Sequence, residues 1–266
     1  MQIVTPQAAI RLRDYVAVRG PDARDFLQRM VSNDVEEAPC PALLLTPKGR
    51  VIAPLVVVHR ADDDYLLLTE RGLGDVVRAT LLRARFAAKC EIEPEEHTSL
   101  LVLGESDGIP NGEYGMPAVE VLDAEPPAEL LGDEELERLR IEAGIPRWGR
   151  EIDDRVLPAE AGLTETHVSF TKGCYPGQEP IARLHYRGKA NRRLRVLDVE
   201  GSPQPETEVL HGDKVVGRVT SSVPGRALAF VRTDVPEDAE LRAAAAAAEG
   251  GGDPHARRMS SQSRAI

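Results

Sequence analysis

The period of the apolar positions changes along the chain, and the changes separate strands from helices. Phe26, Leu27, Met30 and Val31 recur at spacings of 1, 3 and 4, the stripe of an amphipathic helix. Gly20-Pro21-Asp22 interrupts the strand-like run before them and starts that helix over 23–31. From Ala42, ALLLTPKGRVIAPLVVVHR holds two apolar runs around Thr46-Pro47-Lys48-Gly49, which predicts a β-hairpin. A third strand follows over 65–69, a helix over 74–88 on Val76, Val77, Leu81, Leu82 and Phe86, and another strand over 99–104.

After a Gly-, Pro- and acid-rich stretch at 105–133, a helix opens with Asp133 as its expected N-cap and ends at Gly144 and Pro146. Runs at 194–199, 214–221 and 228–231 predict a small all-β C-terminal unit, and the Ala- and Gly-rich residues beyond it lack an apolar face to dock. The expected organisation is a first α+β half over 1–104, a second over 105–190, a small β domain over 191–240 and a mobile tail over 241–266. The order of elements is mixed α+β, and neither GxGxxG nor GxxxxGK[ST] occurs, which argues against a doubly wound nucleotide-binding fold.

Composition narrows the classes of function. With 266 residues, 42% hydrophobic and 29% charged, the chain can bury more than one core and a pocket. Its net charge of -11 repels a phosphate backbone unless basic residues gather on one face, so no direct nucleic-acid partner is expected. Cys40, Cys90 and Cys174 give neither a CxxC pair nor an even disulfide framework, so no metal site is expected and a reducing cytoplasm fits. There is no basic start leading into an apolar core, and no run approaches the ~18 apolar residues of a membrane span. The expectation is a cytoplasmic monomer without a membrane partner.

The chemistry concentrates in TKGCYPGQEPIAR, residues 171–183. Cys174 can be a nucleophile, a metal ligand, a redox thiol or a small residue filling a turn. Lys172, two positions away, would favour its thiolate if the backbone brought the ammonium to the sulfur. Gly173 and Gly177 permit backbone conformations closed to other residues, and Pro176-Gly177 suits the centre of a type II turn. Gln178 and Glu179 offer groups that hydrogen-bond a heterocycle or fix the loop itself.

KGCYPGQE resembles the K-G-C-[FY]-x-G-Q-E signature of the folate-binding YgfZ/Iba57-like family, relatives of the glycine-cleavage T-protein, an aminomethyltransferase. RIEAGIPRWGREIDDRVLPAEAGL, GRVTSSVPGRALAFVR, RGPDARDFLQRMVSNDV and LLTPKGRVIAPLVV resemble further landmarks of that family, from about Asp14 to Arg232. The resemblance implies a ring-like α+β body of two similar halves around a folate pocket, with a small C-terminal β-barrel unit. It also implies tetrahydrofolate, or a one-carbon derivative, as cofactor. The implied role is in assembling or maintaining iron-sulfur client proteins, including tRNA-modifying enzymes.

By the same resemblance Cys174 and Lys172 are the reactive pair. Glu151, Tyr175, Gly177, Gln178, Glu179 and Arg183 bind folate, with Glu151 reading the pterin edge and Arg183 or Arg187 facing the glutamate tail. Trp148 can stack on a pterin or pack in a core. The family's T-protein branch has an Asp-Asp pair where this chain has Ala53-Pro54, neither of which transfers a proton. The alternatives to an accessory factor are a folate-dependent one-carbon transferase and a non-catalytic scaffold.

Overall fold

The computed structural model describes residues 7–244 and 258–259. β1 (Gln7–Arg11) and β2 (Arg13–Arg19) are followed by α1 (Ala23–Met30), β3 (Cys40–Leu45), β4 (Val51–Ala61) and β5 (Asp64–Glu70). Next come α2 (Gly74–Ala84), β6 (Glu91–Glu95), β7 (Ser99–Leu103), β8 (Ile109–Pro110) and β9 (Ala118–Leu122). α3 (Asp133–Ala143), α4 (Thr164–His167) and α5 (Gln178–Arg187) precede β10 (Arg192–Asp198), β11 (Glu208–His211), β12 (Lys214–Val223) and β13 (Arg226–Arg232). β14 (Leu241–Ala243) and β15 (Arg258–Met259) complete the order. The rest of the expected tail lies outside the described residues.

The hairpin and the helices stand where the apolar period puts them, with α2 ending at Ala84 instead of 88. α3 starts one residue earlier than a capping Asp133 implies: Gly132 is the N-cap, and Asp133 joins Glu134 and Glu135 in the first turn, where acids suit the helix dipole. Gly144 closes α3 in the left-handed conformation at φ 76°.

Two antiparallel sheets make up the body. One has the order β3-β4-β5-β2-β6, and its apolar face packs on α1 and α2 through Leu27, Leu67, Val77 and Leu81. The other, β1-β7-β9-β8, draws strands from both sides of residue 104. A separate core joins the β3–β4 hairpin to later elements through Leu43, Leu45, Ile141, Tyr175, Ile181 and Phe230. Trp148 is partly buried against this core and against that of the first sheet.

The C-terminal unit corrects the expectation of a β-barrel. Its sheet has the order β10-β13-β12-β11-β14-β15 and remains open, with β10 and β15 as its two edges. Closure needs tilted strands that meet edge to edge, whereas strands of four, three and two residues make up the β15 end. Both faces of the sheet are also in use. Along β13, Ala227, Ala229 and Val231 enter the unit's own core, while Leu228 and Phe230 pack into the core shared with the hairpin. That two-sided burial fixes the sheet against the body.

The tightest contact in the motif region joins two glycine turns. Gly177 has φ 83°, and a Cβ there would lie 2.6 Å from the Thr46 carbonyl oxygen and 3.0 Å from the Gly49 Cα. Gly49, at φ 73°, faces back onto Pro180 and Gly177. Gly173 is free of both constraints, with no left-handed φ and open space around a built Cβ. Gly177→Ala is therefore expected to cost about 2–4 kcal/mol through left-handed strain and backbone overlap. Gly173→Ala is expected to stay within about 0.5 kcal/mol of the parent. Urea denaturation of both variants checks the contrast through the midpoint at constant slope.

Candidate functional site

The KGCYPGQE loop is an extended segment that ends in a tight turn. The Gln178 amide donates to the Tyr175 carbonyl across Pro176-Gly177 at 3.3 Å, and Gly177 at φ 83°, ψ 1° has the geometry of the third residue of a type II turn. α5 begins at once with Gln178, half-buried, and Glu179, exposed in the first turn. Cys174 is exposed and free at the entrance to that helix.

Lys172 points away from the surface. Its ammonium donates to the carbonyls of Val31 at 2.8 Å and Asn33 at 2.6 Å, where α1 ends. Burial lowers its pKa to about 8, partly offset by Asp34. The thiol it influences electrostatically is buried Cys40, which burial pushes up to about 11 against the opposing pull of Lys172. Tyr175 lies beneath the ammonium, with 5.5 Å from nitrogen to ring centroid. Its hydroxyl is buried without a partner among the described residues, and burial raises it to about 12.

Ser32-Asn33, just past the end of α1, clamps this region to the first sheet. The Ser32 hydroxyl donates to the His167 carbonyl at 2.6 Å and accepts from the Leu43 amide at 2.8 Å. The Asn33 amide donates to the carbonyls of Pro41 and Thr166. Ala53 is fully buried in the core of the first sheet, and the Pro54 carbonyl accepts from Thr69, so this part of β4 carries no proton-transfer group.

Glu151 is fully buried with both oxygens engaged. One accepts from Arg140 at 2.9 Å and from the Arg147 amide at 3.0 Å, and the other accepts from the Ser221 hydroxyl at 2.6 Å. Ser221 and Arg147 line a cleft of about 610 Å³ between the β1–β2 connection, α3 and the C-terminal sheet. Ile10, Leu12, Leu136 and Pro205 give it apolar walls, while Asp133, Glu134 and Glu137 add acidic groups. Three residues of its lining, Arg11, Tyr114 and Arg147, each carry a buried donor without a partner among the described residues: the two Nε and the phenolic hydroxyl. Orphaned buried donors are costly in a folded chain and commonly mark a ligand or water position.

Glu179 and Arg183 lie elsewhere, in a groove of about 530 Å³ along α5 shared with Tyr186 and Arg187. The structure thus brings Cys174, Tyr175, Gly177, Gln178, Glu179 and Arg183 together around the start of α5 and leaves Glu151 behind a different cavity. Sequence reasoning missed Arg11, Tyr114 and Arg147. Their sole sequence signal is the polar interruption at Arg11 and Arg13 in an apolar strand pair.

That interruption holds a buried charge network. Arg13 meets Glu120 at 2.5 Å and Glu113 at 2.7 Å, and Arg11 meets Glu70 at 2.6 Å and Glu113 at 2.8 Å. Burial alone would raise the Glu113 carboxyl, but Arg13 and Arg11 hold it down at about 2. Burial lowers the His167 imidazole to about 4, against an opposing attraction to Glu113.

Among the described residues, no group of three or more His, Cys, Asp or Glu side chains is placed to hold a metal ion, and no helix is long and apolar enough to cross a membrane.

The His167 value of about 4 lies below the ordinary 6.5, so the unfolded chain binds more protons between those pH values. The stability His167 contributes is complete above pH 6.5 and is lost as the pH falls towards 4, by up to about 3 kcal/mol. Glu113 extends the loss as the pH falls from 4.5 towards 2. Urea titrations from pH 7 to 4 should show this decline in the parent and a flatter profile in His167→Gln.

Residues 191–252 match the family described as CAF17, C-terminal beta-barrel domain, although the described strands of that region form the open sheet given above. The chain is 28% identical to the tRNA-modifying protein YgfZ of Pectobacterium atrosepticum over 70% of this chain and 68% of that protein. It is 27% identical to the human mitochondrial iron-sulfur cluster assembly factor IBA57 over 77% and 69%. The glycine cleavage system aminomethyltransferase T of Bartonella henselae, a crystal structure, aligns with a TM-score of 0.79 over 96% of this chain and 85% of that one. Its 18% identity makes this a likeness of fold.

Proposed function

We propose that this chain, similar to the YgfZ and IBA57 proteins and alike in fold to an aminomethyltransferase T, is a tetrahydrofolate-binding accessory factor for iron-sulfur proteins, including tRNA-modifying enzymes. Cys174 is its functional thiol. The observation that carries the folate reading is the 610 Å³ cleft with three buried, unpartnered donors on Arg11, Tyr114 and Arg147. Folate combines a flat heterocycle, rich in acceptors, with two carboxylates. The residues present fit it: apolar walls for the ring system, and guanidinium and phenol donors for the acceptors.

When bound, the folate supplies a nitrogen pair that carries one-carbon units. The chain's own residues orient and hold. Arg140 and Ser221 fix Glu151, and Glu151 in turn fixes the Arg147 backbone and the Ser221 hydroxyl at the cleft wall. Ala53-Pro54 offers no acid or base, which supports folate binding without aminomethyl transfer. Cys174, exposed beside a rigid turn, is accessible to a partner protein.

Calorimetric titration with tetrahydrofolate is expected to show binding, weakened about 5- to 50-fold by Tyr114→Phe or Arg147→Met, since each removes one donor to an acceptor in a buried site. Absence of binding heat would overturn the folate reading, and binding unchanged in both variants would remove it from this cleft. In cells that depend on this chain, Cys174→Ala is expected to lower iron-sulfur enzyme activity while the purified variant still binds folate. Turnover of the purified protein in a glycine-cleavage assay would restore the transferase reading.

A further inference from the structure

The cations along α5 are arranged unlike those elsewhere in this acidic chain. Arg183, Arg187 and Lys189 are exposed, and none takes part in an ion pair among the described residues. Arg183 and Arg187 are one helical turn apart, about 6 Å along the axis. Lys48, also exposed and free of ion pairs among the described residues, sits at the hairpin tip beside Gly49, which packs on Pro180 of the first turn of α5. The acid among them is Glu179. Net charge over the whole chain is -11, but that is an average, and the groove along α5 is lined by two arginines, Arg183 and Arg187, against one carboxylate, Glu179.

An aromatic cluster adjoins this groove through Tyr186. Phe170 and His185 stack with centroids 4.0 Å apart and planes 22° apart. Tyr186 meets His185 edge-on at 4.8 Å and keeps 67% of its surface exposed. Tyr186 and both arginines line the 530 Å³ groove. Exposed rings between cations spaced by a helical turn are what a single-stranded polynucleotide requires: flat surfaces for its bases and point charges at its phosphate interval. An acidic peptide would satisfy the cations and leave the rings unused.

We propose that the α5 face, with Arg183, Tyr186, Arg187, Lys189 and the hairpin-tip Lys48, binds a single-stranded polynucleotide, with a base seated on Tyr186. Three to four phosphates engage these cations. The chain's net charge of -11 makes binding weak and steeply dependent on salt.

The test is fluorescence anisotropy of the full chain with a labelled 15-nucleotide oligouridylate and its deoxy counterpart, from 25 to 200 mM salt. The log of the affinity is expected to fall with log salt at a slope of about -2 to -3, from about -0.7 per neutralised phosphate. Arg183→Glu with Arg187→Glu should weaken binding at least tenfold. Tyr186→Ala should weaken it about 5- to 100-fold, with recovery in Tyr186→Phe. Arg71→Glu, a reversal at an exposed arginine outside the groove, should match the parent after allowance for net charge, and circular dichroism melts confirm that all variants fold. An RNA-over-DNA preference assigns the strand as RNA, and equal binding assigns either source; both support the site. The proposal is overturned if binding is undetectable at 25 mM salt or if the groove reversal equals Arg71→Glu. It is also overturned if Tyr186→Ala binds like the parent while an oligoglutamate peptide displaces the strand, which would assign the face to an acidic protein.

Discussion

Two left-handed glycine turns pressed together set the geometry on which the motif region depends. Gly177 approaches the Thr46 carbonyl and Gly49 more closely than any side chain allows, and Gly49 meets Pro180 and Gly177 in return. The hairpin tip and the start of α5 can therefore occupy one relative position. Lys172 and Ser32-Asn33 hold the other end of the segment through bonds to buried carbonyls and amides. Between these fixed ends the chain has room for one conformation, in which Cys174 faces solvent and Tyr175 faces the core. The thiol is displayed by packing on both sides of it.

Buried charge plays a second architectural part. Arg13 with Glu113 and Glu120 joins the two sheets of the body, and Arg140 with Glu137 and Glu151 joins α3 to the C-terminal sheet through Ser221. Removing one member of such a set strands the others without solvent, so these clusters act as units. They also leave remainders. Arg11 and Arg147 use their terminal nitrogens in ion pairs but keep a buried Nε unpaired among the described residues, as Tyr114 does its hydroxyl. The cleft acquires its donors from the edges of networks whose centres are saturated.

Lys172 shows how sequence proximity misleads. Two residues apart on an extended backbone, Lys172 and Cys174 project to the same side, which suggests an ammonium tuning that thiol. The segment is not a paired strand, however, and burial of the four-carbon stem against the end of α1 carries the charge to Val31 and Asn33, where its thiol neighbour is Cys40. Glu151 is a related case: an acid after a Gly-Arg turn reads as a ligand contact, yet Arg140 of α3, Ser221 of β12 and the nearby Arg147 amide reach it first.

The amino-acid sequence by itself determined the element types, the hairpin, the α+β class and the type II turn at Pro176-Gly177, because these follow from local periodicity and from backbone limits on glycine and proline. It also carried the KGCYPGQE signature and the missing acid at Ala53-Pro54. Only the tertiary structure decided that the C-terminal sheet stays open, that Glu151 is buried behind one cavity while Arg183 lines another, and that the cations of α5 take no ion-pair partner among the described residues of an acidic chain. Each of these depends on which distant residue arrives at a given atom, and neither a period nor a spacing records that.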